Sequence, residues 1–160
     1  MDLSQSTDPG IERIVETVRS LDGALVVAPA AGDPDVPELA WGDFFFYYAP
    51  DGRMPRNVQP YGTIVTKNYP DDTSSGLDRP GRWRVNVHVG RARLAELTRQ
   101  TPAEADAVPP ATTDVVLPHP VYGAAGWVAV VDPGPRTTET VLGLLRDAHE
   151  AARSRFERRR

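Results

Sequence analysis

No cysteine occurs in the 160 residues, which removes a disulfide framework, a thiolate zinc site and a cysteine nucleophile together. No window approaches the roughly 18 apolar residues a membrane span needs. The opening MDLSQSTDPG lacks both the basic and the apolar region of a secretory signal, so a cytoplasmic protein with no membrane partner is expected. There is no GxSxG, no P-loop and no GxGxxG, so serine hydrolysis, nucleotide triphosphate chemistry and Rossmann cofactor use lose their usual sequence support. No catalytic motif is recognisable and no cofactor is implied. The three His show no ligand spacing such as HxH or HExxH, so no metal is expected; Asp43 or Asp78 would have to complete a site. A formal net charge of −4 argues against a general nucleic-acid binder, because such binding rests on a basic surface that neutralises phosphates. The five Arg of the final RSRFERRR read instead as a solvated helix end that suits the helix dipole, with weak DNA contact the lesser alternative.

What is present suits one domain, long enough to bury roughly 70% of its unfolded surface without cross-links. Its bounds are expected at 8–156, with 1–7 and 157–160 frayed. The 16 Pro and 13 Gly punctuate it well, and no feature sets an oligomeric state. Asp8 with Pro9 behind it marks a helix start, and Ile11, Ile14, Val15, Val18 and Leu21 form one apolar stripe that Gly23 ends. ALVV begins β-prone and breaks down into a Pro, Gly and Asp loop. Strands are expected over Trp41 to Ala49, whose five successive aromatics cover both faces in part, over Gly62 to Lys67, and over Arg82 to Val89. The last is the cleanest, with Trp83, Val85, Val87 and Val89 on one face and Arg84, Asn86 and His88 on the other.

The polar loop NYPDDTSSGLDRPG between these two strands is expected at the surface, with Asp71, Asp72 and Asp78 solvated and Asp78 pairing locally with Arg79. A short helix follows from Arg91 to Gln100. Thr101 and Glu104 read as a capping box, and AVPPATTD as a linker. Trp127 to Val131 is the last strand, DPGP a turn, and Thr137 the cap of a final helix with Val141, Leu142, Leu144, Leu145 and Ala148 inward. No helix separates successive strands in most of this order, so the class is α+β, an antiparallel sheet packed against N- and C-terminal helices.

AWGDFFFYYAPDG, GTIVTKNYP, LDRPGRWRVNVHVGR and PHPVYGAAGWVAVVDPGPRT resemble the small, actinobacterial-type proteins of the domain of unknown function family 6194. The resemblance covers nearly the whole chain and implies no activity. More distantly, the arrangement resembles the YjbR or MmcQ-like proteins: an N-terminal helix, a strand ending in Lys67, then Tyr122 and Trp127 leading into the last strand and helix. This resemblance implies a CyaY-like fold, an antiparallel sheet backed by helices.

His119 is the sharpest candidate for chemistry, because Pro118 and Pro120 hold it in a segment with few conformations. If the Gly62 and Arg82 strands pair, Lys67, Arg84, Asn86 and His88 share a face and, with His119 and Tyr122, form a cluster able to hold an anionic small molecule. His149, between Asp147 and Glu150, reads as an exposed helical residue. The three Trp and the FFFYY run read as core. The reading that results is a non-catalytic binding or accessory module. The alternative is a small enzyme with His119 or His88 as general acid or base.

Overall fold

A computed structural model of the chain describes residues 8–98 and 108–159; the capping box at Thr101 to Glu104 lies outside them. Helix α1 (Pro9–Arg19) starts where the sequence places it. The Asp8 carboxylate accepts the N–H of Gly10 at 2.7 Å, Pro9 takes the first turn, and Ile11, Ile14, Val15 and Val18 are buried.

The strands are β1 (Ala24–Val27), β2 (Phe44–Tyr48), β3 (Gly62–Val65), β4 (Arg84–His88), β5 (Leu117–Pro118) and β6 (Trp127–Val131). They form one sheet in the order β1-β2-β3-β4-β6-β5, antiparallel at every pairing. This is the α+β class expected. The β-prone ALVV is a full edge strand, with Ala24 opposite Tyr48 and Val27 opposite Phe45. Strand β3 stops at Val65, short of Lys67, because the backbone N–H of Thr66 is drawn off to the Asp43 carboxylate at 2.9 Å. Strand β5 is too short to leave a periodic signal; it pairs Leu117 with Ala129, and the bond from His119 N–H to the Trp127 carbonyl, 2.9 Å, extends it by one residue.

The three α-helices among the described residues pack on one face. Phe46, Ile64, Val85, Val87, Val128 and Val130 form one core with the buried residues of α1 and with Val141, Leu142, Leu144, Leu145 and Ala148 of α3 (Thr138–Arg159). Leu94 and Leu97 of α2 (Arg91–Thr98) close the same core. Gly126 lets the chain pass close by the end of β4. Its φ of 91° suits glycine, and an added Cβ would lie 2.8 Å from the Gly90 backbone. Among the described residues no helix is long and apolar enough to cross a membrane.

Three expectations are corrected. His149 is not an exposed helical residue: it is buried between α3 and the sheet, with Nε2 2.7 Å from the Asp22 carbonyl and Nδ1 2.9 Å from the Tyr61 hydroxyl. A carbonyl can only accept, so Nε2 carries the proton and Tyr61 donates to Nδ1. AVPPATTD is more than a linker, because Asp114 accepts the N–H groups of Gly134, Arg136 and Thr137 and the Thr137 hydroxyl. Thr137 precedes the first turn of α3 as expected, but the carboxylate that fixes that end comes from Asp114.

The third correction concerns the acidic loop after β3, which is not simply solvated. Asn68 accepts the N–H of Leu77 through its side-chain carbonyl at 2.9 Å, and Asp78 accepts the N–H of Asn68 at 3.3 Å. So closed, the loop drives Leu77 against Val65 and Val131 and buries Asp72 and Ser75. Among the described residues Asp78 makes no ion pair with Arg79, because its carboxylate is used on the backbone.

Candidate functional site

The alternation of β4 is as the sequence has it, yet its polar face is not open. Arg84 is 1% exposed and Asn86 3%. Register sets Thr63 opposite Asn86 and Val65 opposite Arg84, and the loop after β3 and the turn after β5 close over them. A cavity of about 420 Å³ remains on this face, opposite α1 and α3. Phe45, Tyr69, Tyr122 and Trp127 supply aromatic walls, and Arg84, Asn86, Asp72 and His119 the polar lining.

Arg84 is saturated almost completely. Nε donates to Asn86 Oδ1 at 2.8 Å, Nη1 to Asp72 Oδ1 and Ser75 Oγ at 3.0 Å each, and Nη2 to Asp72 Oδ2 at 2.5 Å. Asn86 in turn donates to Thr63 Oγ1 at 2.9 Å. The paired carboxylate and guanidinium are the two-pronged geometry in which Arg is strongest. Burial by itself would raise the Asp72 carboxyl, but the hydrogen bonds and charge of Arg84 outweigh it and hold the group below its ordinary 3.8.

His119 is fixed by the turn that follows it. Its Nδ1 accepts two backbone N–H groups, those of Val121 and Tyr122, at 3.0 Å each. The ring proton therefore sits on Nε2. That nitrogen lies 3.1 Å from Arg84 Nη2 and 3.7 Å from Asp72 Oδ2. Burial, then the Arg84 charge, push the imidazole down from 6.5 to about 4 against the pull of Asp72. At neutral pH it is an uncharged donor.

The structure brings together four of the six candidates: Arg84, Asn86, His119 and Tyr122 line one cavity. Lys67 and His88 do not join them. Lys67 Nζ is held by Asp43 Oδ1 and the Trp41 carbonyl, both at 2.9 Å, and Asp43, fully buried, also accepts from Thr66 and Tyr69. His88 sits at the end of β4 with its ring against Trp127 and its Nε2 3.2 Å from the Ala125 carbonyl. Sequence reasoning missed Asp72, whose only signal was an acidic loop. It also placed Phe45 and Trp127 in the core, where Trp83 does lie but where these two do not. Among the described residues no three His, Asp or Glu side chains cluster as metal ligands.

Comparison with known proteins agrees with the resemblance to family 6194. A family model described as a family of unknown function (DUF6194) matches residues 8–160. No curated protein and no solved structure matches the chain.

Proposed function

The chain belongs to DUF6194, a family of unknown function, and we propose from its geometry that it is a non-catalytic binding module whose cavity, on the sheet face opposite α1 and α3, takes a small, planar, largely apolar molecule. The observation that carries this is the pairing of aromatic walls with a rigid, pre-assembled polar floor in one cavity. Its volume lies within the usual ligand range, roughly 300–1,000 Å³, and such sites are mostly apolar with a few fixed polar groups.

Charge favours an uncharged ligand over an anionic one. Asp71 and Asp72 line the cavity and, among the described residues, Arg84 is the one cation in the lining. Catalysis by His119 as a base is disfavoured by its bonding: Nδ1 is occupied by two backbone donors and Nε2 already holds the proton. His88, the other candidate base, is absent from the lining.

The test is a thermal-shift and ligand-observed NMR screen of aromatic fragments against the full chain and a Trp127→Ala variant. Fragments that stabilise the parent and lose binding in the variant are expected. A screen without binders, or binders indifferent to Trp127, would overturn the assignment.

A further inference from the structure

Resting on the reading that this cavity binds a small molecule, its bonding pattern names the group that would be recognised. Arg84 has five N–H hydrogens. Four go to Asn86, Ser75 and the two oxygens of Asp72, and the fifth, on Nη2, is directed at His119 Nε2, 3.1 Å away. That separation is the length of a hydrogen bond, yet Nε2 cannot accept one. The Val121 and Tyr122 N–H groups hold the ring's lone pair at Nδ1, so Nε2 carries a hydrogen of its own. Two donors therefore converge with no acceptor between them. Asp72 Oδ2, at 3.7 Å from Nε2, is beyond hydrogen-bond reach.

Reversing the tautomer moves the mismatch without removing it, because Nδ1–H would then face two backbone N–H groups. Both side chains are more than nine-tenths buried, with Arg84 1% and His119 6% exposed, so bulk solvent does not resolve the conflict. Buried polar groups left in this state are uncommon, and each calls for a specific physical reason.

We propose that His119 Nε2–H and Arg84 Nη2–H form a seat for one uncharged acceptor oxygen of the ligand, the carbonyl of an aryl amide or aryl ketone. An oxygen placed there meets both donors, and the attached ring lies toward Tyr122 and Trp127 in the aromatic part of the lining. The Tyr122 ring already packs against His119, centroids 5.0 Å apart. A carboxylate in the same seat would stand beside the ionised Asp72, whose Oδ2 is already taken by Arg84. An ammonium would meet two N–H groups.

The experiment titrates the full chain with benzamide, benzoate and benzylamine, followed by NMR, including the side-chain nitrogens of His119. The unliganded protein should show the Nε2–H tautomer. Benzamide should bind roughly tenfold more tightly than either charged analogue, the worth of about one well-made hydrogen bond, and should shift His119 Nε2. His119→Asn keeps an acceptor near the Nδ1 position and removes the Nε2 donor. If it retains the native spectrum, it should lose the benzamide preference.

An Nδ1–H tautomer in the parent overturns the seat whether or not any variant folds. Equal binding of the three probes, tighter binding of benzoate or benzylamine, or an unchanged preference in His119→Asn also overturns it while leaving the cavity reading intact. So does failure of benzamide when other fragments bind in a Trp127-dependent way. Absence of binding by every fragment takes both readings down.

Discussion

Both oxygens of Asp72 grip the guanidinium of Arg84, at 3.0 and 2.5 Å, from a loop that composition alone assigns to solvent. The pair joins that loop to the centre of the sheet and fixes the guanidinium in the cavity floor. Asn86 and Ser75 bond directly to Arg84, and His119, fixed by its own turn, lies against it at 3.1 Å.

Breaking the pair on one side should be costly. Arg84→Met leaves the Asp72 carboxylate buried without a counter-charge, and removal of one partner of a buried pair costs about 3–5 kcal/mol. The double variant Asp72→Leu with Arg84→Met should recover most of that loss, since neither charge remains. Urea unfolding of the three proteins checks this. A single-variant loss below about 1 kcal/mol would place the pair among solvent-screened surface bridges.

Acid should weaken the fold in two successive windows. The His119 imidazole is lowered by burial and by Arg84 from 6.5 to about 4, so between those values the unfolded chain binds the proton that the folded one refuses. Its contribution is complete above 6.5 and is lost as the pH falls toward 4. Asp72 acts in the same direction lower down: Arg84 holds its carboxyl below the ordinary 3.8 despite burial, so that contribution is present above 3.8 and is lost as the pH falls through the folded value. Stability measured against pH should therefore slope downward on acidification below 6.5, and His119→Asn should flatten the upper window alone. An NMR titration placing His119 near 6.5 would refute the first window.

Tyr61 and His149 should behave as a lock between α3 and the sheet. Tyr61→Phe removes the one donor that, among the described residues, bonds His149 Nδ1, and it leaves a buried acceptor unmet, at about 1–3 kcal/mol. The core beneath is unchanged, so the variant should fold and show the loss in its denaturation midpoint with an unaltered slope. Full stability in Tyr61→Phe would mean that the hydroxyl contributes nothing.

Gly126→Ala should be damaging although it adds one methyl group. The residue has a φ of 91°, and the new Cβ would come within 2.8 Å of Gly90 backbone atoms that have no rotamer with which to yield. A left-handed non-glycine residue costs about 1–3 kcal/mol before that contact is counted. A neutral result by thermal unfolding would show that the turn relaxes.

Much of the fold is legible in one dimension because its elements repeat with their own period. The 3.6-residue stripe of α1, the alternation of Trp83, Val85 and Val87 against Arg84, Asn86 and His88, and the Trp127–Val131 run each report a buried face by local spacing. The stretch around His119 was also legible as a fixed point, because two prolines leave it little freedom. The candidate set was less so. Lys67 and His88 share the strand spacing of the others, but Asp43 draws off the first and the end of β4 carries the second toward Ala125 and Trp127.

The sequence by itself determined the class, an antiparallel sheet with helices, and the alternation that puts Arg84 and Asn86 on one side of β4. Only the tertiary structure decided that this side is buried, that Asp72 is the partner of Arg84, and that His119 meets both. Those contacts span 12 and 35 residues and depend on how two irregular loops close. Loop closure here rests on single side-chain hydrogen bonds, such as Asn68 to Leu77, which leave no periodic trace in a sequence.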